Sequence, residues 1–539
     1  MGYCNFFLIL LTLSLAAVPI VAEDNVNLSL NDTVPSPVRY LAPDVISAIS
    51  FPGANVDILN VVSKTELNLK LKKKVPNWFL GIIFGVDTED ITTLCLNMSE
   101  NSTSLGRADV GKWEGLRPVY SYGSHVYYPD FIYYTKGDDG FWVSSDPFLF
   151  GNDKFAGNDR LPVQEILFEG LEEYALSEDG KYWSAWMEIK NAYPDSYSDS
   201  FTMRESFKQK LVTVAIRVPY SYDYEWQYML KLKEVKRTGV KVHEIGKSVE
   251  GRDLYIVEIN DPKATEEELK DKRVVLIYAN EDGDEPDSSW VTQGIINFLI
   301  SDSDEAKQLL KEVSFLCIPM LDPDGWAHST YGELTYSFAP EDFLKYIRPE
   351  AASYASFINS WCGDRNMRLD LVVNLHNIEC NEGPNVMFPL IDINYMEHAE
   401  KLNDFFLKNL TDVKTSSVVW AHGSFYDRFS GWCQRQWGSI ITLCEINSRY
   451  PQNRLSLKDM DELGKSFALL CGEYFKTDAY EDILPRIEMT YEYHKTKRNN
   501  YLSEAKKRDS DVSSDEYLIS PSINLHDLPP LYTIIGLGY

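Results

Sequence analysis

The chain is short of positive charge. Its 52 lysines and arginines face 81 aspartates and glutamates, a formal net charge of −29 over 539 residues. That deficit argues against a nucleic-acid partner and against docking on anionic membrane surfaces. Cysteine is also scarce, with eight in all. None has the Cys-x-x-Cys spacing of a structural zinc site. Eight in so long a chain make no disulfide framework. Long apolar runs are absent beyond the first: after residue 22 nothing approaches the ~20 apolar residues of a membrane span.

That first run is FFLILLTLSLAAVPIVA (6–22), which ends in small residues just before Glu23 and Asp24. It reads as a signal peptide cleaved after about Ala22. No Lys or Arg precedes it, so an uncleaved anchor is the alternative. Five Asn-x-Ser/Thr sequons, at Asn27, Asn31, Asn97, Asn101 and Asn409, agree with passage through the secretory pathway. A secreted or lumenal, N-glycosylated protein is therefore expected. Loss of Cys4 with the signal leaves seven cysteines, so at least one thiol stays unpaired within a monomer.

What is present falls into three compositional zones. Up to residue 218 the chain is rich in Tyr, Phe and Trp, in short alternating runs separated by Gly, Asp, Asn and Ser. This pattern predicts an all-β sandwich over 23–218. Its tyrosines read as ordinary strand packing rather than a sugar-binding face. From Pro219 to about 475, strand and helix signals alternate, as in an α/β domain around a mixed sheet flanked by helices. Residues 476–539 are charged and low in apolar residues, and read as a partly disordered tail.

Within the α/β zone, residues 279–290 (ANEDGDEPDSSW) link an apolar strand, 273–280, to a helical run, 291–300. An open α/β sheet places ligands at such turns. This turn holds Glu281, Asp282, Asp284, Glu285 and Asp287, which repel one another unless solvated or offset by a cation. Three further apolar strands end in residues suited to metal or acid–base work. The strand 313–320 leads to Asp322-Pro323-Asp324-Gly325, 370–375 to His376, and 439–443 to Glu445. Strand ends of a parallel sheet gather at one edge, so these groups can converge.

Several segments, in order, resemble a known family. They are VAIRVPYSYDYEWQYM (214–229), IGKSVEGRDL (245–254), GDEPDSSWVTQGIINFL (283–299), FLCIPMLDPDG (315–325) and VVNLHN (372–377). Together they are similar to the zinc carboxypeptidases of the carboxypeptidase A/B-like superfamily, above all its cytosolic-type branch. Trp78-Phe79 and the stretch from Trp113 to Val119 resemble that branch's β-sandwich domain. The resemblance implies a carboxypeptidase-like fold, one Zn²⁺ per chain, and hydrolysis at the C-termini of peptides or proteins. It implies metal ligands at Asp282, Glu285 and His376, with Glu445 as the general base. A register one residue earlier would put Cys444 in that last place.

The sequence departs from the family at four points. Asp282 stands where a histidine is expected. Two carboxylates and one histidine bring a divalent centre to zero charge rather than +1, and favour Mn²⁺, Mg²⁺ or Ca²⁺ more than the usual set does. Asp322 replaces the Asn of Asn-Pro-Asp-Gly, and the oxyanion arginine corresponds to Gly332. The Asn-Arg carboxylate clamp falls near Lys345, with Arg348 close by as a candidate substitute; Lys345 keeps the charge without the bidentate fork. Three functions are therefore expected as alternatives: a metallocarboxypeptidase, an inactive relative that binds peptides, and a Ca²⁺-stabilised structural protein.

Overall fold

The computed structural model describes residues 217–508, except 235–238, 284, 329–347, 366, 379–382, 391–395, 420–427 and 451, and the backbone of strands between Ser47 and Ala215. Those N-terminal strands form two five-stranded sheets and two hairpins. One sheet runs Ser47–Ile49, Ile82–Gly85, Leu211–Ala215, Val119–Tyr122, Met187–Glu188, antiparallel throughout. The other runs Asn191–Pro194, Ser200–Ser206, Ile91–Asn97, Glu66–Leu71, Val56–Ser63, with one parallel pair. The packing that would make these a sandwich involves side chains outside the described residues, as do the sequons at Asn27, Asn31 and Asn101 and the Trp78 and Trp113 segments.

The α/β body contains eight strands: β1 (Val240–Lys247), β2 (Asp253–Ile259), β3 (Arg273–Ala279), β4 (Val313–Ile318), β5 (Leu371–Asn377), β6 (Val386–Leu390), β7 (Thr415–Val419) and β8 (Ile440–Ile446). Their order across the sheet is β1-β2-β4-β3-β5-β8-β6-β7. The central run β4-β3-β5-β8 is parallel, while β1, β2 and β6 join antiparallel. Parallel sheets covered on both faces need continuously apolar strands. Accordingly β4, β5 and β8 are buried at every position.

Alternation along β3 sorts its side chains into two cores. Val275, Ile277 and Ala279 pack on one face with α3 (Pro286–Leu299) and α9 (Leu457–Tyr474). Val274, Leu276 and Tyr278 pack on the other with α6 (Pro349–Arg365) and α8 (Phe429–Trp437). The remaining helices are α1 (Tyr222–Glu234), α2 (Glu266–Lys270), α4 (Asp304–Glu312), α5 (Pro323–His328) and α7 (Met396–Asn409).

Composition ends the body near 475; the packing carries it further. Residues Asp478–Arg508 form α10. Tyr480, Ile483 and Ile487 enter the first core, Tyr491 joins the second, and the Tyr480 hydroxyl donates to Asp370 Oδ1 at 2.8 Å. Tyr480, Ile483, Ile487 and Tyr491 recur at helical spacing on one stripe, so the small number of apolar residues does not prevent docking. Beyond Arg508 the tail lies outside the described residues. Among the described residues no helix is long and apolar enough to cross a membrane.

One buried cation ties the site-bearing strand ends together. Arg217, wholly buried, follows the last N-terminal strand. Its guanidinium pairs with Asp287 in α3 and donates to the Ile378 carbonyl after β5 at 2.5 Å. It also reaches Asn447 Oδ1 after β8 at 3.4 Å. Asp287 additionally accepts from the Ser448 amide at 2.8 Å.

Candidate metal centre

The turn after β3 begins with Asn280 in the left-handed region, φ 56°, a conformation Asn tolerates better than most residues. The reversal sends Glu281 and Asp282 back toward the sheet edge. Two bonds hold it against the end of β4: Leu321 N donates to Ala279 O at 3.0 Å, and Asp322 N to Asn280 O at 3.1 Å. Gly283 then passes so close to the Gly325 backbone that a Cβ would collide with it. Glu285 is the N-cap of α3, with Pro286 in the first turn, and its carboxylate makes no cap bond. The Asn377 side chain instead accepts from the Ser288 amide at 2.9 Å. Freed from capping, the Glu285 carboxylate turns to β5.

There it meets His376. The His376 Nδ1 lies 2.9 Å from Glu285 Oε2 and 3.3 Å from Asp282 Oδ2. All three residues are buried, and one donor atom from each lies within 4.8 Å of the other two. Donors held ~2.1 Å from a common tetrahedral ion stand about 3.4 Å apart, so the set fits a divalent metal with a position left open. The Asn377 amide donates to Glu285 Oε2 at 3.0 Å and fixes its orientation.

Glu445 faces the same place. It pairs in register with His376 on the neighbouring parallel strand, so both side chains leave one face of the sheet. Cys444, one residue earlier, points into the opposite core. Burial pushes the Glu445 carboxyl well above the usual range, against the pull of His376. Burial likewise pushes Glu285 up to about 7. For His376 burial opposes the charged form, yet Glu285, Asp282 and Glu281 hold its pKa well above the ordinary value.

Two neighbours carry no family signal in the sequence. Glu281, wholly buried, lies 3.4 Å from His376 Nε2. Arg428, just before α8, reaches Asp282 Oδ2 at 3.5 Å and Glu281 Oε2 at 3.7 Å. Glu281 was visible only as one acid of the turn, and nothing in the sequence marks Arg428.

Of the substrate-clamp candidates, Lys345 lies outside the described residues, as does Gly332. Arg348 is held by acids of its own chain. Its guanidinium donates to both oxygens of buried Asp322, at 3.1 and 3.2 Å, and to Glu350 at 2.7 Å. It braces the turn after β4, where Asp324 in turn holds Ser248 at 2.7 Å and Arg252 at 2.6 Å. Among the described residues, Cys317, Cys362, Cys433, Cys444 and Cys471 are buried and stand outside any disulfide.

Comparison with known proteins bears on this geometry. Residues 226–377 match the zinc carboxypeptidase family model. The match takes in Asp282, Glu285 and His376 and stops short of Glu445. Similar curated proteins include zebrafish (Danio rerio) cytosolic carboxypeptidase 2, 30% identical over 137 residues, covering 25% of this chain and 19% of that protein. Human cytosolic carboxypeptidase 6 is 32% identical over 198 residues, covering 35% and 39%. The aligned part is thus well under half of either relative. Among solved structures, a metallo-carboxypeptidase from Burkholderia cenocepacia superposes with TM-score 0.54 at 14% identity, covering 80% of this chain and 99% of that one. One from Pseudomonas aeruginosa gives the same score, identity and coverage. At such identity these establish the carboxypeptidase-like fold: a mixed sheet flanked by helices.

Proposed function

We propose that the protein is a metallocarboxypeptidase-like hydrolase that removes C-terminal residues from peptides or proteins. The observation that carries this reading is the meeting of Asp282, Glu285 and His376 around one point, with Glu445 beside them on the same sheet face. Asp282, Glu285 and His376 would hold one Zn²⁺, which when bound supplies Lewis-acid polarisation of a peptide carbonyl. Glu445 would take a proton from the attacking water and return it to the departing amine. The paired strands fix Glu445 relative to His376, and the Asn377 amide fixes Glu285.

The test is elemental analysis of gently purified protein together with a panel of peptides bearing free or amidated C-termini. About one zinc per chain, with cleavage of free C-termini only, is the expected result. Absence of any transition metal sinks the reading.

A second reading is a peptide-binding module without turnover. Asp282 in the place of a histidine supports this reading, because a second carboxylate lowers the charge a metal would present, and so does the Arg428 guanidinium, which at 3.5 Å competes with a metal for that carboxylate. Equal inertness toward both peptide sets would favour it. We also propose, from the apolar N-terminal run and five sequons, that the protein enters the secretory pathway. A mobility shift on enzymatic deglycosylation is the check, and an unshifted band from secretory-competent cells argues against it.

A further inference from the structure

His376 is contested by carboxylates on both ring nitrogens. On the Nδ1 side lie Asp282 and Glu285, the two acids that share the candidate centre. Left to themselves they would draw the imidazole proton to Nδ1, and a protonated nitrogen cannot ligate. On the Nε2 side, among the described residues, Glu281 stands at 3.4 Å. Among the described residues, buried Nε2 makes no contact of hydrogen-bond quality, so this carboxylate is the acceptor within its reach.

Glu281 is itself built in rather than adrift. The Phe429 amide donates to Oε1 at 3.3 Å, Asn374 Nδ2 donates to Oε2 at 3.2 Å, and the Tyr278 hydroxyl lies 3.5 Å from Oε2. Arg428 adds a countercharge at 3.7 Å, and the Ser430 amide donates to the Tyr278 hydroxyl at 3.1 Å. A wholly buried carboxylate without such partners would be strongly disfavoured. This cradle therefore has the consequence of holding an anion against the far side of His376.

We propose that Glu281 is a positioning residue: it accepts the Nε2 proton of His376, which leaves the Nδ1 lone pair facing the metal. Metal-ligating histidines commonly donate their other ring N–H to such a carboxylate, which fixes tautomer and ring orientation. Through Phe429 and Arg428 the same carboxylate sets the start of α8 relative to the ligand, so a change at either residue is felt at Nδ1. The inference rests on the metal reading proposed above.

The experiment uses the full chain and zinc, with Glu281→Gln and Glu281→Leu. Gln keeps the volume and a weaker, uncharged acceptor; Leu removes the acceptor and suits the buried surroundings. Zinc affinity is measured by competition with a chromogenic chelator, and the His376 ring nitrogens by ¹⁵N resonances in histidine-labelled, zinc-loaded protein. Zinc binding should weaken about tenfold for Gln and toward a hundredfold for Leu, the range typical of lost outer carboxylates. Wild type should show a protonated Nε2 and a ligating Nδ1, and the variants should lose that single pattern. A purely structural or charge effect would alter affinity without moving the tautomer. If Leu fails to fold, Gln with the ¹⁵N readout still decides. Zinc bound normally by wild type and Gln alike, with one unchanged tautomer, overturns this inference alone. A wild type that takes up no zinc overturns both it and the metal reading.

Discussion

His376 and Glu445 occupy paired positions on adjacent parallel strands, β5 and β8, and both side chains leave the same face of the sheet. Their spacing is set by the backbone ladder rather than by a loop. Changing one side chain should therefore leave the other in place. Glu445→Gln is expected to retain zinc and fold while turnover falls by ~10²–10⁴, the range for a lost general base. Peptide hydrolysis and bound zinc, measured on one preparation, check this; retained turnover rejects Glu445 as the base.

Asp282→His tests the departure at the first ligand. Exchanging a carboxylate for a neutral imidazole restores a net positive centre and a donor better suited to zinc than to Mg²⁺ or Ca²⁺. Zinc affinity should rise on the order of tenfold, a typical scale for changes around a metal. Competition binding with zinc and manganese measures it. No change in zinc affinity would place residue 282 outside the ligand set.

Gly283→Ala probes the approach of two turns. The added methyl would meet the Gly325 backbone, which cannot give way as a flexible side chain can. The ligand turn must then lift from the end of β4. Loss of zinc with the far-ultraviolet spectrum preserved is the expected outcome, and a fully loaded variant would show that the turns have slack.

Arg217→Met leaves Asp287 buried without its main cation, a kind of defect that costs about 3–5 kcal/mol. Pairing it with Asp287→Asn should recover part of the loss, because the stranded charge goes too. Chemical denaturation of the two variants gives the comparison, and equal stability of single and double variants would contradict it.

Glu258 supplies a pH dependence away from the site. Burial would raise its pKa, but the 2.7 Å contact from His243 and the charge of Arg365 bring it down to about 2. A carboxyl depressed in the fold stabilises above its ordinary pKa of 4.5 and loses that contribution as pH falls toward 2. At 1.36 kcal/mol per unit the contribution is roughly 3 kcal/mol. Glu258→Gln should be less stable than wild type at pH 6, with the gap closing below pH 4. A constant gap over that range would contradict the pairing.

The strand ends were legible because parallel strands buried on both faces leave long apolar runs, and the residues just after each run must lie at the sheet edge. This made Asp282, Glu285, His376 and Glu445 readable as one group. The role of Glu281 was not legible. One acid among five gives no sign of which side of a histidine it faces, since that depends on the left-handed turn at Asn280. The pairing of Arg348 with Asp322, 26 residues earlier, was not legible either, because its sequence neighbours do not reveal that bidentate partner. The α10 docking was hidden for a related reason: Tyr480, Ile483 and Ile487 are few, and only their shared stripe matters.

Arg217 makes the boundary at residue 219 a poor place to divide the protein. A fragment begun there would keep every candidate ligand and the proposed base, yet lose the cation shared by α3 and the segments after β5 and β8. Its inactivity could then be misread as a missing catalytic group. Modular in composition, the two regions are not interchangeable parts: grafting this α/β body onto another N-terminal region would have to carry Arg217 along with it.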